Sequence, residues 1–105
     1  MTMPKRGEVW LADLGLAAKT RPVLVLNVPF SNQDYALITV VPHTTSVRGA
    51  NFEVNISLPG LKPGAFNVQG LLAIPPPKLI RRIATLQLEQ MNIVEATVKK
   101  WLGFQ

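Results

Sequence analysis

Cysteine is absent from the 105-residue chain. Disulfides, thiolate nucleophiles and cysteine-ligated metals are thereby excluded. Histidine occurs once, at position 43, so no two histidines of one chain can share acid–base work. Acidic side chains are scarce, with six Asp plus Glu against eleven Lys plus Arg, a net charge of +5 and a pI near 10.1. The six acids are scattered, with no D-x-D spacing, which argues against metal-dependent phosphoryl transfer. No G-x-S-x-G frames a serine, and there is no glycine-rich phosphate loop. Apolar runs are broken by Pro, Gly, Asn or charge, well short of the roughly 18 residues a membrane span needs. Met1 to Trp10 is basic but lacks the apolar stretch of a signal peptide, so the expected compartment is the cytoplasm.

What is present is a core-forming composition: 48% apolar and 16% charged residues, enough for one packed domain over residues 1–105. A basic balance on such a domain suits a polyanion such as nucleic acid, or an acidic protein partner. The charge is uneven. Residues 1–53 hold five basic and four acidic side chains, residues 54–105 six and two, and none of the acids falls between Val54 and Leu88.

Short strands are expected first. Glu8–Ala12 follows Gly7, and Pro22–Leu26 is a continuous apolar run of the kind buried on both faces. Ala36–Val41 is stopped by Pro42, and Phe52–Leu58 alternates as a half-buried strand. Ala65–Ile74 is a further apolar stretch weakened by Gly70, and Pro75–Pro77 breaks the chain. From Leu88, apolar residues recur at Leu88, Met91, Val94, Val98, Trp101 and Leu102, the stripe of an amphipathic helix. Glu95 and Lys99 are spaced as a helical ion pair, and Gly103 is a stop signal. Trp10 and Trp101 are expected in the core. The sum is a strongly bent sheet or small barrel with a C-terminal helix.

Two polar clusters adjoin the buried-looking strands, Lys19-Thr20-Arg21-Pro22 and Pro42-His43-Thr44-Thr45-Ser46. Arg21, attached to a rigid strand, could meet a phosphate with its planar fork, or pair structurally with Asp13 or Asp34. Thr44 could contact the same ligand, or cap a turn. His43 titrates near neutrality, but strand alternation points it away from Thr44.

These segments resemble the MazF/PemK toxins of toxin–antitoxin systems, and do so nearly end to end. Lys5-Arg6-Gly7-Glu8-Val9-Trp10-Leu11-Ala12-Asp13-Leu14 is similar to the family's R-G-(D/E)-V-W-x-(A/V)-D-L opening. Thr20-Arg21-Pro22-Val23-Leu24-Val25-Leu26 is similar to its R-P-V core, and Thr39-Val40-Val41-Pro42-His43-Thr44-Thr45 to its V-x-P-(L/I)-T-(S/T) motif. Leu86 to Gly103 resembles its closing helix. The resemblance implies an SH3-like small β-barrel of the MazF/PemK/CcdB type, usually a homodimer. It also implies a metal-independent endoribonuclease without cofactor, with Arg21 and Thr44 as the cleaving pair, single-stranded RNA as substrate, and an acidic, partly disordered antitoxin as partner.

Other residues are expected to touch RNA: Lys19, Thr20, Thr45, Gln69, Lys78 and Arg81, with Arg82 beside them. The family's acid-Gln-(I/V)-R segment and its T-(V/I)-D-(K/R) continuation are replaced here by Val68-Gln69-Gly70-Leu71-Leu72-Ala73-Ile74-Pro75-Pro76-Pro77. Gln69 keeps its place, while the arginine and aspartate have no counterparts. That departure leaves open a second reading, a barrel that binds RNA or protein without turnover. The loop Gly15 to Lys19 is short for covering a substrate.

Overall fold

Three neighbouring strands build the centre of the protein, and their side chains alternate between two separate apolar clusters. A computed structural model describes residues 3–15 and 19–104. Strand β1 (Glu8–Gly15) pairs antiparallel with β2 (Lys19–Val25), and β2 with β3 (Ile38–Thr44). Val9, Leu24 and Val41 enter one cluster, while Trp10, Val23, Val25 and Val40 enter the other. This explains why Pro22–Leu26 reads as an unbroken apolar run: both faces of β2 are covered.

The remaining strands are short. β4 (Glu53–Val54) pairs with β5 (Ala65–Asn67), β5 with β3, and β6 (Leu72–Ile74) with the other end of β3. A 3-10 turn at Val68–Gly70 joins β5 to β6, and another at Pro76–Lys78 leads into β7 (Leu79–Thr85), which lies on β1. The main path runs β4-β5-β3-β2-β1-β7 and is not closed between β4 and β7. The architecture is thus mainly β with a C-terminal helix, as expected, in a bent and open version of a barrel.

Helix α1 (Leu88–Leu102) starts with reciprocal Gln87 and Gln90 caps and ends at Gly103, whose φ of 80° places it in the left-handed region. Met91 and Val94 enter the cluster beneath, beside Phe66 and Val68. Lys99 Nζ lies 3.6 Å from Glu95, the expected pair. Only the middle turns meet the core. Leu88 is 77% exposed and Trp101 41%, so the expected burial of Trp101 is overturned: its ring lies tilted against Phe52 at 5.1 Å. Trp10 is buried as expected.

Two strand expectations are corrected. Ladder pairing covers only Glu53–Val54 of the expected Phe52–Leu58 strand, although burial still alternates at Val54 and Ile56. Alternation reports which side chains face the core, whereas pairing also needs a partner, and β5 is three residues long. β3 in turn continues through Pro42, where it passes from one partner to another: Val23 opposes Pro42, and Phe66 opposes His43.

Phe66 is fully buried where β5, β3 and the α1-side cluster meet. Phe66→Ala should cost about 3–5 kcal/mol, read as a lower urea midpoint. Such a loss is comparable to the whole stability of a small domain.

Candidate functional site

The two polar motifs meet because of strand register. Val25 faces Val40, Leu24 faces Val41 and Val23 faces Pro42. Continued by two residues, the same register sets Arg21 opposite Thr44, beyond the last paired residues. Here the strands bound a groove of about 410 Å³, whose lining includes Leu11, Thr20, Arg21, Pro22, His43, Thr44, Thr45 and Ser46. The turn Gly60-Leu61-Lys62 supplies the rest of the lining.

Among the predicted residues, Thr20, Arg21, Thr44 and Thr45 are brought together in this groove. The others lie elsewhere. Lys19 is exposed at the start of β2, opposite Gly15, with φ 47°. Gln69 is exposed on the turn after β5, and Lys78 on the turn before β7. Arg81 is exposed on β7, across from Leu11. Arg82 is committed to Glu8, 3.2 Å away. The middle of the short Gly15–Lys19 loop lies outside the described residues. Sequence reasoning placed Ser46 in a polar cluster without giving it a role, and missed Lys62 as a lining residue. The available signal for Lys62 was its place in a Pro-Gly-bounded turn within the acid-free stretch.

The groove carries cations and hydroxyls but no carboxylate. Arg21 and Lys62 bring positive charge, and Thr20, Thr44, Thr45 and Ser46 bring hydroxyls. Neither acid proposed as a structural partner for Arg21 fills that role. Asp13 accepts the Gly15 N–H at 2.9 Å, and Asp34 accepts the Ser31 N–H at 2.9 Å. Among the described residues Arg21 has no ion-pair partner. Thr44 Oγ1 accepts the Ser46 N–H at 3.0 Å, so the turn-capping reading holds. Its own hydroxyl proton has no acceptor among the described residues.

Gly64 holds Thr44 in place from behind. A Cβ on Gly64 would lie 2.1 Å from the Thr44 carbonyl oxygen and 2.7 Å from His43 Cε1, so only glycine permits this approach of backbones. Gly64→Ala should force β5 off Thr44 and cost about 1–3 kcal/mol. Urea unfolding measures the loss, and displaced Thr44 and Ser46 amide resonances report the shift.

His43 is buried at 2% exposure, with its ring edge-on to Phe66 at 5.0 Å. Burial, and after it the nearby Arg21 charge, hold its pKa below that of a free imidazole and favour the neutral ring. Its Nε2 has no hydrogen-bond partner among the described residues. In the unfolded chain the same group binds a proton more readily, so folding stability falls as pH drops below about 6.5 towards the folded pKa. His43→Leu should flatten this dependence when unfolding is compared at about pH 5 and about pH 7.5. Equal slopes in the two proteins would contradict that account. Glu8 adds a separate loss at lower pH. Burial pushes it up, but the Lys5 N–H, the Trp10 indole N–H and Arg82 outweigh that and hold it below 4.5.

The fold and groove define a small β domain with a carboxylate-free groove, lined by Arg21 and Lys62, at the ends of its central strands. The sequence matches, over residues 5–102, the family described as PemK-like, MazF-like toxin of type II toxin–antitoxin system. The chain belongs to that family. The Mycobacterium tuberculosis toxin MazF-mt6 is 28% identical, with a TM-score of 0.80 over 93% of this chain and 98% of that one. An endoribonuclease in complex with its cognate antitoxin, from a mycobacterial species, is 22% identical with a TM-score of 0.81, covering 100% of this chain and 98% of that one. A MazE–MazF complex from Deinococcus radiodurans is 19% identical with a TM-score of 0.83, covering 100% of each chain. Among the described residues no helix is long and apolar enough to cross a membrane.

Proposed function

We propose that this toxin is an endoribonuclease that cuts single-stranded RNA at short sequences without a metal ion, and so blocks translation and growth. The observation that carries the reading is Arg21 and Thr44, from separate motifs, lining one carboxylate-free groove. A scissile phosphodiester brings negative charge, and the groove offers a guanidinium and several hydroxyls to meet it.

In this reaction the 2′-oxygen forms a bond to the adjacent phosphorus and the bond from phosphorus to the 5′-oxygen breaks. The proton lost by the 2′-hydroxyl is balanced by one gained on the leaving oxygen. The products are a cyclic phosphate and a 5′-hydroxyl. Arg21 stabilises charge growing on the non-bridging oxygens, a role in which one placed donor contributes about 10²–10³-fold. Thr44 donates a hydrogen bond to a phosphoryl oxygen and orients it. A guanidinium and an aliphatic hydroxyl are both poor proton carriers at neutral pH. Their parts are electrostatic and positional. Lys19, Gln69, Lys78 and Arg81, outside the groove, would contact flanking RNA.

The partners in this reading are a second copy of the chain and an acidic antitoxin, with the protein acting in the cytoplasm as one domain over residues 1–105. The family match over residues 5–102 and the antitoxin-bound relatives support it.

Purified protein incubated with a long mixed-sequence RNA in EDTA should yield fragments with new 5′-hydroxyl ends. Arg21→Ala should slow cleavage about 10²–10³-fold. Thr44→Val should also slow it, and Thr44→Ser should retain most of the rate. Inert wild type, or Arg21→Ala cutting at the wild-type rate, would sink the proposal. Tight RNA binding without new ends would instead favour the non-catalytic barrel suggested by the altered Gln69–Pro77 segment.

A further inference from the structure

The groove that Arg21 lines is lined also by the turn that carries Lys62. That turn is anchored on both sides. Leu61 packs on the α1-side cluster, and its N–H is bonded to the Leu58 carbonyl at 3.2 Å. Gly60, at φ 81°, lies against Ile83, where a Cβ would be 3.7 Å from the Ile83 side chain. After Lys62, Pro63 fixes its own φ, and Gly64 is seated on the Thr44 carbonyl. The backbone of Lys62 is therefore held from Leu61 and from Gly64, while its side chain is exposed. Among the described residues it has no ion-pair partner, and no acid lines the groove. A lysine held on such a turn and lining an acid-free cleft suits an anion from outside the protein.

From this arrangement we infer that Lys62 is a second phosphate contact, binding an RNA phosphate next to the scissile one while Arg21 engages the scissile group itself. The inference rests on the RNA-cleavage reading and adds to it. Lys62 is a positioning residue: it fixes where the strand lies along the groove and takes no part in bond making. As a point charge on a flexible stem it holds a phosphate without reading a base.

The test uses the full-length protein and a 2′-O-methyl RNA oligonucleotide bearing the sequence that wild type cuts. The methyl group removes the nucleophile, so affinity is measured without turnover. Each phosphate contact to a single strand adds about 0.7 to the slope of log affinity against log salt. The affinity advantage of wild type over Lys62→Gln should therefore shrink about 2.6-fold between about 50 and about 200 mM salt. Lys62→Arg should restore the wild-type slope, and Lys100→Gln, on the exposed end of α1, should leave it unchanged. On cleavable RNA the effect of Lys62→Gln should appear as a raised KM. Parallel salt slopes for wild type and Lys62→Gln would overturn the inference. So would a Lys62→Gln variant that binds RNA normally but loses affinity for poly-glutamate, which would assign the lysine to an acidic protein partner. A wild type that cuts no RNA fails the functional reading itself, a result distinct from parallel slopes.

Discussion

The antiparallel register between β2 and β3 is the constraint on which the rest depends. Arg21 and Thr44 lie 23 positions apart in sequence, and only this register places them at one end of the same strand pair. It is expensive to change. A slip of β2 by one residue would send Leu24 to the face now filled by Val23 and Val25, send those two to the face of Leu24, and invert every buried contact of the strand. Burial on both faces, costly in a chain this small, thus fixes the separation of two polar groups that are not themselves in the core. Gly64 adds a local lock, because the backbone packed against the Thr44 carbonyl has no room for a side chain.

The groove's charge follows from where the acids are spent. Glu8 is bound by the Lys5 N–H, the Trp10 indole and Arg82. Glu53 accepts the Arg48 and Ala50 N–H groups, which hold its pKa below 4.5. Asp13 and Asp34 close local turns, and Glu95 lies between Arg6 and Lys99 on the helix side. Glu89 sits in the first turn of α1, where negative charge suits the helix dipole. Every acid of the chain therefore has structural work away from the cleft. A modest excess of basic residues becomes a local field in the groove, because nothing there neutralises Arg21 or Lys62.

Much of this was legible in the sequence, and the reasons are physical. The double-sided strand, the helix and its glycine stop are short-range patterns of apolar spacing and backbone preference. Arg21 and Thr44 were marked by their attachment to such strands and by motif resemblance. Lys62 was not, because its place in the groove depends on contacts between distant segments: Gly60 on Ile83, Leu61 on the core, Gly64 on Thr44. The length of β4 escaped for a similar reason, since the alternation from Phe52 records burial while ladder length is set by β5. Trp101 kept helical phase with Met91 and Val94, but phase does not say how far the core extends along the helix. The last turn lies beyond it, and the indole finds Phe52 instead.

The turn held by Thr44 bears on how its hydroxyl would act on a phosphate. A threonine hydroxyl has one proton to donate and two lone pairs to accept with. The Ser46 N–H occupies one lone pair and thereby orients the oxygen. A hydroxyl that accepts from an amide is polarised towards donating its own proton, which suits a phosphoryl oxygen and not proton removal from RNA. The capping and functional readings of Thr44, alternatives on sequence grounds, are thus compatible: the cap would prepare the donor. Arg21 would act in the same sense, placing positive charge beside the same oxygens. A site of this kind gathers donors where negative charge develops, and a rigid strand pair limits the reorganisation required when it does.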